Sequence, residues 1–596
     1  RAFREGESIC IYGDYDADGI CATAILLDCF SEYSGRVTAR IPSRHGEGYG
    51  LCESAVRALA ASGVGLIVTV DNGVSAHAEI ALAKELGVDV VVTDHHSLPD
   101  RLPECAAVVT PGDAACGAGV ALRLARALSG DARLGRWLPL AALATVADLV
   151  PLTGDNRVMV ARGLPLIEEL PGLRALLRAA ANGDRPVTAS TLAFLLAPRL
   201  NAAGRLEDAM RGVELLLAED IDTADRLAAA LNELNSRRRA IEAEILAEAE
   251  AMFDEAEVRR SHALLLRRAG WNPGVIGIVA SRLCETLHCP VLLFSEGADG
   301  LLTGSGRSVE GVHLFRTLTA CRERFIRYGG HAGAAGVTMR AEEFEAFCAD
   351  FLRELALRYD DAAFEPCLRY DETVELSELG LSAVQELRLL EPFGEGNPEP
   401  LYRLDGVRLA ELRAMGQDGR HVSARAVSGG FTLRAVGFGF GNRLEALRGG
   451  GLWTLLARPS LNQYRGMCAV ELMLTEALPA EKLLRDFFVN VLYNSLCVEA
   501  CGFLGAFARE SGAFQRDSMR SMYRRLRDGM AEGLEPRSAA ERFSAEELCA
   551  LLVFMELDFF AFDGKLLRHR PGAAPKALSD SRLYRLIRSN EEREEP

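Results

Sequence analysis

Three aspartates, Asp14, Asp16 and Asp18, fall within five positions of the run ICIYGDYDADG. Carboxylates this close repel one another, and part of the set stays protonated unless a cation sits among them. The pairing of an apolar run with charged residues recurs: GLIVTV leads into Asp71-Asn72-Gly73, and VDVVVT leads into Asp94-His95-His96. A further acid, Asp148, stands in LATVADLVPL. Asp14, Asp16, Asp18, Asp71, His95, His96 and Asp148 therefore form the candidate catalytic set. It is rich in oxygen, with one or two imidazoles and no thiolate, which suits Mn2+ or Mg2+ rather than zinc or copper. Two such ions about 3.5–4 Å apart, sharing a carboxylate, are a phosphoryl-transfer arrangement. A calcium loop is the competing reading. D-x-D-x-D-G opens one correctly, but the twelfth position, where a bidentate Glu belongs, is Ile25.

Far-apart acids need elements that bring them to one place. ICIY, GRVTARI, GLIVTV, VDVVVT and AAVVTP read as strands, separated by Ala-rich helical stretches. Near-continuous Val/Ile runs are what a parallel sheet covered on both faces requires, so residues 1–220 read as a doubly wound α/β domain. In such a sheet the carboxyl ends of the strands share one edge, where ligands bind. From Asp222 to Val258 there is neither Pro nor Gly, which predicts one long helix connecting two lobes, domain boundaries 221–258. Residues 259–360 read as a second, smaller α/β domain, with strands HALLLRR and PVLLFSE and loop-rich GLLTGSGRS and GGHAGAAGVTM. Residues 361–476 show short strands with Gly turns, a β-barrel signature led by the OB-fold. Residues 477–596 look mostly helical, with a short wing at FFAFDGKLLRHR.

The net charge of −17 argues against a nucleic-acid binder globally, but the distribution decides more than the sum. Residues 401–475 hold ten arginines against five carboxylates, so the barrel is basic within an acidic chain. The 15 cysteines are scattered through apolar segments without a C-x-x-C pair, which implies reduced thiols and a cytoplasmic setting. Cys497 and Cys501 have helical spacing and read as core. No apolar run approaches a membrane span. Arg1 stands just ahead of a strand, so a short preceding piece is expected.

DYDADG, VDNG, DHH and VADLVP, in this order and spacing, resemble the DHH phosphoesterase superfamily. LAPRLNAAGR, GWNPGVIGIVASR, GSGRS and GGHAGAAG make the chain similar to its bacterial single-strand-specific exonucleases, over about residues 5–475. The resemblance implies a DHH domain, connecting helix, DHHA1 substrate-binding domain and OB domain at the boundaries above. It implies two divalent ions, Mn2+ or Mg2+. Asp16 would hold one and Asp18 the other, Asp71 would bridge both, and His95 and Asp148 would complete the coordination of the second ion. Asp14 would be a ligand or close partner, and Asp94 could orient an imidazole. His96 would meet the scissile phosphate, with a structural histidine as the alternative.

Arg199, Asn201 and Arg205 would approach the substrate, or else form a helix start with exposed arginines. Ser305, Arg307, Ser308, Gly330 and His331 resemble substrate-binding loops. Trp271 fits either a base platform or a core position. Asn272 stands where the family usually has His. The implied activity is removal of nucleotides from the 5′ end of single-stranded DNA in repair and recombination, with a single-strand-binding protein or helicase as possible partners of the C-terminal region. Another DHH phosphodiesterase, of oligoribonuclease or cyclic-dinucleotide type, is disfavoured by Tyr12, where those enzymes place a His, and by the basic barrel. An inactive scaffold is disfavoured by the intact ligand set.

Overall fold

The computed structural model describes residues 1–589 apart from 34, 44–49, 112–114, 184, 465–466, 495–506, 508–513, 515, 531–532, 564, 572 and 574–575. Cys497 and Cys501 lie outside the described residues. The chain divides into two compact units, Arg1–Cys367 with Pro392–Pro398, and Leu368–Glu391 with Glu399–Pro596.

In the first unit, β1 (Ile9–Tyr12), β2 (Val37–Arg40), β3 (Leu66–Val70), β4 (Asp89–Thr93) and β5 (Ala107–Val109) form one sheet of order β2-β1-β3-β4-β5. Every pairing is parallel. The two-residue alternation of a strand splits its side chains between two cores. Ile9, Ile11, Val68 and Val70 pack against the helices Ala17–Ser31, Gly117–Ser129 and Leu134–Ala147. Cys10, Tyr12, Ile67 and Val92 pack against Glu53–Ala61 and His77–Glu85. All five expected strands form.

The long helix is shorter than its composition suggests. It spans Ile221–Glu250, and a second helix, Glu255–Ser261, starts after a break. Asp254 makes the break, since its side chain accepts from Ala256 N and Glu257 N and caps the new helix. The next sheet contains β6 (Leu264–Ala269), β7 (Val291–Glu296), β8 (Leu301–Arg307), β9 (Phe325–Gly330) and β10 (Ala334–Arg340), in order β6-β7-β8-β10-β9. The Gly-rich segments read as loop-rich are strands here. Leu302, Gly304 and Gly306 of β8 alternate inward, and glycine hides that period from a hydrophobicity pattern. β6 and β7 are parallel and the remaining pairs antiparallel.

In the second unit β11 (Glu372–Thr373), β12 (Tyr402–Met415), β13 (His421–Ser428), β14 (Phe431–Gly437), β15 (Trp453–Tyr464) and β16 (Met467–Pro479) run in order β11-β12-β13-β14-β16-β15, and β12 pairs with β15 to close a five-stranded barrel. The single parallel pair of the closed ring, β14–β16, gives it OB-fold connectivity. Helices and a hairpin, β17 (Phe560–Phe562) with β18 (Leu567–His569), follow around their own apolar core. The expected wing is present. Among the described residues no helix is long and apolar enough to cross a membrane.

Candidate metal centre

The acidic turn after β1 doubles as a helix start. Asp16 caps the Ala17–Ser31 helix, its Oδ1 accepting from Asp18 N at 2.9 Å and Gly19 N at 3.0 Å. Asp14 and Asp18 are buried beside it. Asp18 is cradled from outside: Gly117 N donates to Oδ2 at 2.6 Å and Ala118 N to Oδ1 at 2.7 Å, both from the first turn of Gly117–Ser129. Here the positive end of a helix offsets a carboxylate's burial. Only glycine fits at 117, because a Cβ there would stand 2.7 Å from Asp71 Cβ.

Asp71, at the end of β3, is buried in the left-handed region with φ 61°. That conformation is uncommon for a residue with a Cβ and is a local strain that functional sites retain. After β4, Asp94 acts as a clamp. Its Oδ1 accepts from His95 N (2.8 Å), His96 N (3.1 Å) and His96 Nδ1 (2.7 Å), and its Oδ2 from Val74 N (3.0 Å). His95 Nε2 reaches the middle of the cluster, 3.0 Å from Asp71 Oδ1, 3.6 Å from Asp148 Oδ2 and 3.8 Å from Asp18 Oδ2. Asp148 arrives from the C-terminus of the Leu134–Ala147 helix, followed by the exposed Leu149 at φ 56°.

Three donor groups result, each with ligand atoms within 4.8 Å of one another: Asp14, Asp16 and Asp71; Asp18, His95 and Asp148; Asp71, His95 and His96. Burial, reinforced by the charge of Asp16, pushes the Asp18 carboxyl up to about 7. Burial and then Asp18 push Asp148 to about 8, and the same two causes drive Asp71 well above the carboxylate range. Burial and then the neighbouring His96 lower His95, favouring the neutral, ligating imidazole. Burial opposes charge on His96, but the hydrogen bond and charge of Asp94 outweigh it and raise the ring. Crowded carboxylates that resist ionisation alone, beside a neutral imidazole, fit divalent cations. The adjacent Cys116 thiol, pushed well up by burial and then by Asp18, stays a neutral neighbour. Hard-oxygen donors of this kind suit Mn2+ or Mg2+.

The expected substrate residues fare unevenly. Trp271 is buried and donates to Glu248 Oε2 at 2.8 Å, so it is a core anchor and presents no face to a base. Asn201 Oδ1 accepts from Ala17 N at 2.7 Å, which commits that atom to bracing the acidic turn. Gly204 completes the brace, since a Cβ there would meet Tyr15 O at 2.0 Å. Arg199 is half-buried and donates to Asn232 Oδ1 and Leu195 O. Arg205 Nη1 donates to Gly274 O at 2.8 Å, and Asn272 Oδ1 accepts from Gly274 N at 2.8 Å, so both shape one loop. In β8, Arg307 Nη1 contacts Ser305 Oγ at 3.3 Å. Ser308 Oγ donates to Val312 O at 2.8 Å and serves its own turn. Gly330 ends β9 and the exposed His331 follows it.

Gly117 and Ala118 escaped the sequence reading; the only signal is CGAG opening an apolar helix. Asn72 also proves structural, its Nδ2 donating to Val70 O (2.9 Å) and Tyr12 O (3.3 Å) across the ends of β3 and β1. On the barrel, Arg425 and Arg434 face each other across β13 and β14, and the exposed Phe431 and Phe438 stand on either side of Arg434 in sequence.

Comparison with known proteins agrees with this geometry. Residues 8–147 match the DHH family, N-terminal domain; 261–356 match the DHHA1 domain; 370–476 match the RecJ OB domain. The single-stranded-DNA-specific exonuclease RecJ of Bacillus subtilis is 36% identical, over 82% of this chain and 63% of its own length. The protein of that name from Salmonella typhimurium is 36% identical, over 80% of this chain and 89% of its own. A crystal structure of RecJ in complex with Mn2+ from Thermus thermophilus superposes with TM-score 0.68 at 33% identity, covering 80% of this chain and 70% of that one. The chain belongs to the RecJ family.

Proposed function

We propose that this chain is a metal-dependent exonuclease specific for single-stranded DNA, hydrolysing phosphodiester bonds from the 5′ end in DNA repair and recombination. The observation that carries the reading is the convergence of three strand ends and one helix end on a carboxylate–imidazole cluster in which Asp71 belongs to two donor groups. Asp14, Asp16 and Asp71 would hold one divalent ion, and Asp18, His95 and Asp148 the other, with Asp71 between them. When bound, the ions supply Lewis acidity toward water and toward the phosphate oxygens.

The chain's own residues do the rest. Gly117 N and Ala118 N hold Asp18 in one orientation. Asp94 pins His96 through Nδ1 and raises its affinity for a proton, leaving Nε2 to face a phosphate oxygen. Asn201 and Gly204 keep the acidic turn from shifting. Arg205, Asn272, Ser305, Arg307, Gly330 and His331 would guide the strand. The basic barrel, with Phe431 and Phe438 as stacking surfaces, would grip single-stranded DNA. A single-strand-binding protein or helicase as partner, and a cytoplasmic setting, complete the reading.

Digestion of single-stranded DNA labelled at either end, with Mn2+, Mg2+ or chelator, tests it. Mononucleotides released from the 5′ end only with a metal are expected. Endonucleolytic products or metal-independent cleavage would contradict it.

A further inference from the structure

The region beyond the last family-matched residue, 476, has a definable architecture. The helix Arg516–Gly529 is followed by a one-residue strand at Leu534, the helices Pro536–Arg542 and Ala545–Glu556, and the β17–β18 hairpin. Leu534 bridges Leu567 antiparallel, and β18 pairs with β17. Helix, strand, helix, helix, hairpin, with the first strand against the hairpin's second, is winged-helix topology. A helix-turn-helix reader of duplex DNA places its recognition helix in the major groove. Here that helix is AEELCALLVFME, and from Ala545 to Phe554 every residue but Glu546 is buried. Arg525 locks it further, 2.8 Å from the buried Glu547. Groove reading is closed to this module.

What remains outside carries two groups of cations. Tyr523 OH meets His569 Nε2 at 2.9 Å and joins the first helix to the hairpin. Arg520, Arg524 and Arg527, at i, i+4 and i+7, share one exposed face of that helix over about 10 Å. Lys565, Arg568 and Arg570 are exposed on the hairpin and just after it. Arg568 lies against the turn leaving the helix, 3.4 Å from where Gly533 would carry a Cβ. The nearby acids form exposed pairs, Arg520–Asp517 at 3.8 Å, Arg527–Asp528 at 2.8 Å, Arg568–Asp563 at 3.4 Å and Arg570–Asp558 at 3.7 Å, which hold little energy and yield to a stronger anion. Among the described residues after Met467 no large hydrophobic side chain is exposed. A docking protein anchors through buried apolar side chains, whereas a sugar-phosphate chain needs only the cations. We infer that this helix-and-wing face binds the phosphate backbone of DNA without reading bases, as a contact additional to the barrel. The inference goes beyond the nuclease reading and stands without it.

The test uses the full chain with Arg524→Glu, Arg527→Glu and Arg568→Glu combined, in chelator so that cleavage plays no part. Binding of a 30-nucleotide oligothymidylate and of a 30-base-pair duplex is followed against salt. Loss of three contacts should weaken binding at least tenfold at ~0.1 M salt and make the log–log salt slope on the single strand shallower by about 2. The matching triple Lys variant should restore both, which separates charge from misfolding, and an unchanged melting temperature in the Glu variant confirms it. Weakening confined to one of the two DNAs identifies which form supplies the phosphates and supports the inference. Unchanged affinity and slope on both DNAs would overturn it. So would loss of poly-glutamate binding without loss of DNA binding, which would mark the face as a dock for an acidic protein.

Discussion

Under the proposed function the metal centre and the barrel both address a phosphate chain, and they are built in opposite ways. The centre buries Asp14, Asp18 and Asp71, raises the pKa values of Asp18 and Asp71 and holds Asp71 at φ 61°. The barrel leaves Arg413, Arg420, Arg425 and Arg434 exposed. Chemistry needs charges fixed before the substrate arrives, and fixing them means burial, repulsion and strain that a cation must relieve. Grip needs only charges that can be reached, each contributing a little and almost independently. Changes at the centre should therefore be large and mutually dependent, and changes on the barrel small and additive.

The largest expected effect follows from Asp71→Asn, which suits the left-handed backbone and removes the shared charge. Turnover should fall by ~10⁴-fold, as for residues acting as a unit, while single-strand binding in chelator stays within about threefold. The melting temperature in chelator should rise, because a buried acid that costs stability by holding its proton above the ordinary carboxylate range is gone. A fall in melting temperature with near-normal turnover would erase the contrast. Gly117→Ala comes next. Its Cβ would press on Asp71 and displace the cradle of Asp18, with an expected loss on the order of 10²-fold in turnover and weaker Mn2+ binding by calorimetry.

The centre should also announce itself through pH. Asp18 at about 7 and Asp148 at about 8 lie above their unfolded values, so the folded metal-free protein holds more protons than the unfolded chain across that range. Stability then falls as pH rises. In chelator the melting temperature should decrease from pH 6.5 to 8.5, and Mn2+ should flatten the profile. Mn2+ affinity should rise by up to about tenfold per pH unit for each proton displaced. A flat profile without metal would remove the electrostatic half of the comparison.

On the barrel, Arg413→Ala should reduce the salt slope by about 0.7, and Phe438→Ala should weaken single-strand binding by roughly three- to tenfold, with effects that add. The smallest binding effect belongs to Trp271→Phe. It should leave DNA affinity within about twofold yet lower the melting temperature, through loss of the Glu248 hydrogen bond.

The same contrast explains what the sequence could and could not reveal. Strands β1, β3 and β4 are continuous apolar runs ending in acids, so both the sheet and the acids that meet at its edge are legible in one dimension. Parallel topology then places their carboxyl ends together without further information. The cradle of Gly117 and Ala118 works through backbone N–H groups, which no residue type advertises. Trp271 and Asn201 lie within or near motif-like segments, but what they contact is decided by Glu248 and Ala17, distant in the chain. The helix break at Ala251–Asp254 turned on a single cap, which competes locally with a strong helical composition. The glycines of β8 masked a strand because the side chains that mark period two are missing there.

The central claim, that Asp71 joins two divalent ions into one centre, is tested most directly by titrating the metal-free full chain with Mn2+ under electron paramagnetic resonance. The account predicts two ions per chain with an exchange-coupled spectrum that Asp71→Asn uncouples. A single ion, or two that never couple, would contradict it.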